Sequence, residues 1–238
     1  MGGDVETIGM AEARSALAWW LEAGVDIALQ EEPRDWLKPA PARQRTASEP
    51  APPANVTAPS HDTLAELQAW LASSTEVPLA SATARRILPH GPENAAVMLL
   101  SDSPTVNDLA AGQPIGGDAW DLARRMIAAI GISPDEAYSA SLSCFNSPGV
   151  KMGKAERDAC AEIAKRHIAL ARPRRLILFG EGPAQALLGK PLPSARGHLH
   201  KVEGVPTIAT FHPRQLINQP SNKALAWKDL LLLMESDS

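Results

Sequence analysis

Cysteine is scarce in this chain of 238 residues, which contains only Cys144 and Cys160. Two thiols cannot form the disulfide framework of a small secreted domain or a four-cysteine metal site, so both classes are excluded. Long apolar runs are also missing: no stretch approaches the roughly 18 residues needed to span a bilayer, and the amino terminus lacks the pattern of a secretion signal. These absences predict a cytoplasmic protein that does not insert into membranes.

Neither sign of charge dominates, because the formal net charge is only -4. This balance argues against a protein that binds nucleic acid over its whole surface. The charges are nevertheless unevenly divided: residues 151–238 contain fourteen Lys and Arg against eight Asp and Glu, whereas residues 1–150 contain nine against nineteen. The carboxy-terminal part can therefore present a basic face to phosphate groups.

Prolines divide the chain into segments. Six of them lie within residues 38–61, among Ala, Ser, Thr and Arg, and this composition favours neither helix nor sheet. We predict a Pro/Ala-rich flexible linker at 38–61, an amino-terminal helical segment at 1–37 and one main domain at 62–238. The helical segment carries Trp19 and Trp20, so it can dock on the main domain or on a protein partner.

Four short, mostly apolar runs predict the strands of the main domain, at residues 95–100, 138–142, 175–179 and 206–210. Helical segments lie between them, and strands connected through helices pair in parallel. We therefore predict an α/β fold, a three-layer α/β/α sandwich with a central, mainly parallel four-stranded sheet. The last predicted helix, at 222–234, should turn Trp227, Leu230 and Leu231 inward.

The carboxyl ends of parallel strands open on one edge of a sheet, so the loops that follow the predicted strands should converge there. These loops supply the carboxylate of Asp102, the hydroxyl of Ser141 and the imidazole of His212. Their turns also offer backbone N–H groups that can bind an anion. Asp102 alone is readily explained as a turn residue and Gly180 as a tight strand-to-helix turn, but together these loops predict an active site.

The segment after the last predicted strand, 211–216, holds the strongest candidate. His212 stands at the exposed end of a buried strand, and Pro213 fixes the backbone just after it. Leu216 follows among the polar residues Arg214, Gln215 and Asn218, so we expect it to be exposed in a loop. Such a loop can hold a ring in place and insert an apolar side chain into a duplex.

The order of these motifs resembles the uracil-DNA glycosylase superfamily, and most of all family 4, the bacterial branch that normally carries an iron–sulfur cluster. The resemblance covers about 64–233. Its motifs are 97–105, 112–116, 147–149, Glu156, Cys160, 173–180, 186–189, Arg196-Gly197, His212-Pro213, Lys223 and Trp227.

The resemblance implies hydrolysis of the bond between uracil, or a related damaged base, and its sugar in DNA, as in base excision repair. His212 would donate to the departing base, and Asp102 would position water or stabilise the cationic sugar. Leu216 would fill the gap left by the flipped nucleotide. The base pocket would comprise Ser103, Pro104, Ile115 and Ser141, and the DNA contacts Thr105, Gly180, Arg196, Gly197, Pro213, Arg214 and Leu216.

The sequence departs from the family pattern at four of these positions. Asp102 replaces a glutamate, and Thr105 replaces a glycine. Ile115 stands where an aromatic would stack on uracil, and Ser141 stands where an asparagine would read its edge. Two alternatives follow: an active, monomeric glycosylase, or a catalytically weak descendant that binds DNA or protein. A small-molecule hydrolase is less favoured, because the chain has neither a nucleophile elbow nor a phosphate loop.

The cluster ligands of the family are also replaced. Three of the four ligand positions fall on Ser74, Val77 and Phe145, and only Cys160 matches. One thiolate cannot hold a cubane that normally needs four, so we predict no metal and no cofactor. Cys160 is then a small buried hydrophobe, and Phe145 can fill the space of the cluster.

Overall fold

The computed structural model describes residues 61–81, 84–146 and 152–235. The predicted amino-terminal helix with Trp19 and Trp20 lies outside these residues, as do the linker up to residue 60 and the turn at 147–149. The fold described below is therefore that of the predicted main domain.

The order of elements follows the predicted alternation of strands and helices. The helices are α1 (Leu64–Ser73), α2 (Val106–Ala111), α3 (Gly117–Ala129), α4 (Lys154–Ala171), α5 (Glu181–Leu188), α6 (Leu192–Ala195), α7 (Pro213–Asn218) and α8 (Lys223–Glu235). The strands are β1 (Arg85–Arg86), β2 (Val97–Ser101), β3 (Ala137–Ser141), β4 (Phe145–Asn146), β5 (Leu176–Phe179), β6 (His200–Val202) and β7 (Val205–Thr210). Short 3₁₀ turns at Pro134–Glu136 and Pro220–Asn222 complete the set.

The central sheet has the strand order β3-β2-β5-β7-β6, and its first four strands are parallel. This arrangement confirms the α/β class and the mainly parallel sheet. The sheet has one strand more than predicted, because β6 pairs antiparallel with β7 through the turn at Glu203 and Gly204. The strand β6 is only three residues long, so its sequence carries too little periodicity to predict it. A separate two-stranded ladder joins β1 to β4.

Alternate residues of the strands point to opposite faces of the sheet and pack against two helical layers. Val97 and Leu99 contact a core formed with α3, α7 and α8. Met98 and Leu100 contact the other core, formed with α4, α5 and α6. The three-layer sandwich is thus confirmed, and each fully buried leucine or methionine stabilises it by about 1.5–3 kcal/mol.

Helix α8 turns a different face inward from the predicted one. Leu230 is buried as predicted, with Ala226 and Leu233 at helical spacing, but Trp227 and Leu231 are exposed. The prediction for Trp227 and Leu231 was therefore wrong, because this helix is apolar nearly all round and its sequence does not define one buried face. No helix in the described residues is long and apolar enough to cross a membrane.

A buried chain of hydrogen bonds fastens α1 to the sheet and to α4. The amide of Gln68 donates to the Tyr138 hydroxyl at 2.9 Å, and that oxygen lies 2.7 Å from His167 Nε2. Burial lowers the pKa of His167 to about 4, so its ring is neutral at pH 7. A protonated, charged His167 ring would be buried away from water, which is unfavourable.

We predict that acid destabilises the fold partly through His167. Between about pH 6.5, the ordinary pKa of histidine, and about 4, the unfolded chain binds a proton that the folded chain does not. The free energy of unfolding should then fall by up to about 1.4 kcal/mol for each pH unit lowered. Urea unfolding at several pH values should show a shallower slope for His167→Gln than for the parent protein. His90→Gln, at an exposed position, is the control, and an unchanged slope in His167→Gln would contradict the prediction.

Candidate active site

Four neighbouring parallel strands end at the same edge of the sheet, at Ser141, Ser101, Phe179 and Thr210. The loop after β2 carries Asp102 and the loop after β7 carries His212, with only β5 between them. Adjacent strands lie about 4.8 Å apart, so the two loops leave the sheet roughly 10 Å from each other.

The turn after β5 separates the two candidate catalytic residues and contacts both. A Cβ atom placed on Gly182 would lie 2.4 Å from Asp102 Cγ, so a larger residue at 182 would displace that carboxylate from its present position. A Cβ atom on Gly180 would have His212 Cβ as its nearest neighbour, at 3.8 Å. Gly180 also has a φ of 94°, a conformation that glycine adopts without strain. Asp102 and His212 therefore flank one glycine turn.

Asp102 lies at the mouth of the site. Its backbone oxygen accepts a hydrogen bond from Ser143 N at 3.3 Å, which fixes the turn. Asp102 is exposed at the surface, but the protein around its carboxyl partly desolvates it and raises its pKa above the ordinary value, while the nearby charges of Arg157 and Arg214 act in the opposite direction. The side chain is thus a carboxylate with reduced hydration and two cations within electrostatic range.

His212 is a neutral hydrogen-bond donor in this structure. It is the N-cap of α7, and its Nδ1 accepts the backbone N–H of Arg214 at 3.1 Å. Burial and the charge of Arg214 lower the pKa of His212 to about 4, although Asp108 opposes this effect. Since Nδ1 accepts, the single proton of the neutral ring resides on Nε2. That N–H is available to a substrate oxygen.

A carboxylate that the sequence analysis missed joins three of the site loops. Asp108 is fully buried in α2 and accepts hydrogen bonds from Thr105 N, Thr105 Oγ1 and Gly116 N, each at 2.7 Å. It also forms an ion pair with Arg214 Nη1 at 2.9 Å. The turn after β2, the loop before α3 and the start of α7 are thereby held together. Thr105 followed three residues later by Asp108 has the spacing of a capping box, which could have drawn attention to it.

A second buried carboxylate supports the opposite side of the site. Asp229 of α8 accepts from Thr210 Oγ1 at 2.7 Å, from Arg196 Nε at 2.8 Å and from Gly197 N at 3.1 Å. The guanidinium of Arg196 also lies over the Phe211 ring, 4.0 Å from its centroid, and its side chain is only 13% exposed. Arg196 therefore supports the strand that leads to His212, and its predicted DNA contact stays a prediction.

The predicted base-pocket residues differ in how accessible they are. Ser103 and Ser141 are partly exposed, and Ser141 Oγ lies 3.1 Å from Ser101 Oγ. Pro104 is buried, and its carbonyl accepts from the Asn146 amide at 2.7 Å, so Asn146 is a further residue that holds the Asp102 turn. Ile115 has no exposed surface and packs in the core beside α3.

Leu216 corrects one prediction. It is 1% exposed and packs in the core, whereas an exposed loop residue was predicted. The reason is that 213–218 forms a helix, and Leu216 lies one turn after Pro213 on its buried face. A buried side chain is not available as a wedge in DNA. The next residue, Ile217, is 40% exposed.

The two thiols lie in the region where the resemblance implies a cluster. Cys144, Cys160 and His167 line a cavity of about 20 Å³, which has room for no more than a water molecule. Burial raises the pKa of Cys144 to about 11 and that of Cys160 to about 12, so both are protonated thiols at pH 7. Phe145 is buried beside them, and no group of three metal-ligating side chains occurs in the described residues. These residues do not fit a four-iron cluster.

Comparison with known proteins agrees with this architecture. The family model described as the uracil DNA glycosylase superfamily matches residues 88–231, more than half of the chain. The chain therefore belongs to the uracil DNA glycosylase superfamily, as the motif order predicted. It is similar to the Type-4 uracil-DNA glycosylase of Pyrobaculum aerophilum, with 23% identity over 153 residues, which cover 60% of this chain and 78% of the relative. It is also similar to the Type-4 uracil-DNA glycosylase of Archaeoglobus fulgidus, with 23% identity over 141 residues, which cover 55% of this chain and 71% of the relative.

We predict that Asp108 is required for stability. Asp108→Ala would remove the acceptor of two backbone N–H groups, those of Thr105 and Gly116, and leave Arg214 unpaired, at a cost of about 3–5 kcal/mol in the free energy of unfolding. Urea unfolding measures this cost. Asp121→Ala breaks an exposed ion pair with Arg124 and should cost less than about 1 kcal/mol. Equal effects of the two substitutions would contradict the proposed role of Asp108.

Proposed function

We propose that this chain hydrolyses the N-glycosidic bond of uracil, or of a related damaged base, in DNA. The observation that carries the proposal is the placement of Asp102 and His212 on either side of the Gly180–Gly182 turn. Membership of the superfamily supports a uracil-DNA glycosylase-like function and DNA as the substrate. Action in base excision repair follows from this chemistry.

The reaction breaks the bond between C1′ of the deoxyribose and N1 of the base. The electron pair of that bond leaves with the base, which becomes an anion, while the sugar becomes an oxocarbenium ion. Water then adds to C1′ and loses a proton to the Asp102 carboxylate or to solvent. The base takes up a proton from solvent after it departs, so the products are an abasic site and the free base.

His212 and Asp102 can each stabilise one of the two charges that develop, the negative charge on the base and the positive charge on the sugar. The neutral imidazole of His212 offers its Nε2–H to a base oxygen without needing to be protonated, so the donor is present at pH 7. Asp102 contributes negative charge on the side of the sugar and can orient the attacking water. The partial desolvation that raises its pKa also strengthens its interaction with a cationic sugar.

The predicted DNA surface lies around the same sheet edge. Thr105 and Gly180 belong to turns beside the two catalytic candidates, and Gly197 is exposed next to Arg196. Because Leu216 is buried, we assign the wedge role to Ile217 on the exposed face of α7. The predicted contact of Pro213 with DNA is not part of this proposal, because Pro213 is buried like Leu216. A monomeric state and a cytoplasmic location are parts of the proposal.

The alternative function is that of a catalytically weak or inactive descendant that binds DNA or protein. Two observations favour it: Ile115 is fully buried and has no aromatic face, and the Ser141 hydroxyl is paired with Ser101. Neither residue provides the paired donor and acceptor with which an amide reads uracil. A protein partner would bind through the predicted amino-terminal helix.

An assay of strand cleavage separates the two functions. Uracil-containing single- and double-stranded oligonucleotides are incubated with the protein, and abasic sites are then cleaved with alkali. We expect scission by the parent protein and a loss of about 10²–10³-fold in both Asp102→Ala and His212→Ala. Asp121→Ala is the matched control for Asp102, since it removes an exposed carboxylate that pairs with Arg124 at the surface. Absence of scission with retained DNA binding would support the alternative, and full activity of both site variants would refute the assigned roles.

The wedge assignment predicts opposite behaviour for two adjacent residues. Ile217→Ala should leave the stability unchanged and lower activity on duplex DNA more than on single strands, because only a duplex has a gap to fill. Leu216→Ala should lower the free energy of unfolding by about 2–5 kcal/mol, because it opens a cavity in the core. Chemical denaturation and activity on paired and unpaired substrates measure both effects. A duplex preference that Ile217→Ala does not change would remove Ile217 from the proposed DNA contacts.

A further inference from the structure

Arg214 occupies an unusual position between the catalytic candidates and a buried anion. Its Nη1 forms an ion pair with Asp108 Oδ2 at 2.9 Å and also contacts the Thr105 hydroxyl. Its Nη2 lies 3.4 Å from His212 Nε2. The side chain is 28% exposed, so it is held in place at one edge and accessible at the other.

The contact between Arg214 Nη2 and His212 Nε2 brings two donors together. Because His212 Nδ1 accepts the Arg214 backbone N–H, Nε2 carries the proton of the neutral ring. A guanidinium has no acceptor atom, so neither group can satisfy the other. Among the described residues neither of these two N–H groups has an acceptor, and their spacing allows one oxygen atom of a ligand to serve both.

The charge around this point is arranged to favour an anion. The Asp108 carboxylate is fully buried and pairs with Arg214. The positively charged guanidinium is therefore the part of this ion pair that lies next to His212. The same guanidinium is close enough to Asp102 to act against the rise of its pKa. Arg214 therefore exerts its charge on both sides of the gap in which the proposed reaction would occur.

We propose that Arg214 is a catalytic residue that binds, together with His212, the oxygen of the departing base anion. This inference rests on the proposed function and adds a residue to it. Negative charge moves onto the base oxygens as the glycosidic bond breaks, and a fixed cation binds that oxygen more strongly in the transition state than in the ground state. Removal of one such donor typically costs about 10²–10³-fold in rate.

This role also indicates which bases the site selects. Ile115 and Ser141 supply no amide to read the edge of the base, so selection must come from another property. A cation beside His212 favours bases that leave readily as anions with charge on a carbonyl oxygen, such as uracil and its 5-substituted derivatives. A DNA phosphate contact, the other role predicted for Arg214, would not discriminate between bases.

The test compares leaving groups of different acidity at one position of the same oligonucleotide. Uracil and the more acidic 5-fluorouracil are each excised by the parent protein, Arg214→Gln and Arg214→Lys. We expect Arg214→Gln to lose about 10²–10³-fold on uracil and clearly less on 5-fluorouracil, with partial recovery in Arg214→Lys. Arg125→Gln removes an exposed arginine charge from α3 as a control and should leave both rates unchanged. An equal loss on both bases that depends on salt would identify a phosphate contact and overturn the proposal.

Two further measurements keep the result interpretable. Arg214→Gln leaves the Asp108 carboxylate buried and unpaired, so Asp108→Asn/Arg214→Gln is made alongside it, and thermal unfolding reports whether each variant is folded. A folded double variant should show the same dependence on the leaving group. If it instead excises both bases at the parent rates, the proposal is wrong.

Calorimetric titration with free uracil tests the site without catalysis. We expect the parent protein to bind uracil and the double variant to bind it at least tenfold more weakly. If the parent protein excises no base, the proposed function fails, and this titration still decides the role of Arg214. Equal binding by both proteins, or no binding by the parent protein, would overturn the inference.

Discussion

The site depends on one buried charge, the carboxylate of Asp108. Four groups from three separate loops donate to it, so the cost of removing this anion from water is offset by a full set of partners. Its negative charge fixes Arg214, and the backbone of Arg214 in turn fixes the tautomer of His212. A residue that no substrate touches thereby determines which nitrogen of the candidate donor carries a proton.

Asp229 repeats the same arrangement on the other side of β7. Each carboxylate binds one arginine, one threonine hydroxyl and at least one backbone N–H. The segment that carries His212 is therefore held from both sides, by Thr210 before it and by Arg214 after it. Preorganisation of this kind reduces the rearrangement that a reaction needs, since the dipoles already point at the charge that will develop.

The sequence predicted the features that depend on repeated patterns. The strand runs, the helices between them and the edge on which the loops meet follow from hydrophobic periodicity and from the rule for parallel sheets. Burial of Leu216 could not be predicted, because the five residues after Pro213 mix polar and apolar side chains. Such a short mixed segment is compatible with a loop and with a short helix. Asp229 was missed because its partners come from distant parts of the chain. Asp108 was missed because its spacing from Thr105 is that of an ordinary helix cap, and its pairing with the distant Arg214 is visible only in the fold.

The close approach of Gly182 to Asp102 links two positions that are far apart in sequence. A β-carbon at 182 would overlap the Asp102 carboxylate where it now lies, so a substitution there would displace the end of that side chain. The position of the acid therefore depends on a residue that takes no part in the chemistry itself. A change at 182 would alter the reach of the acid while leaving its chemical identity intact.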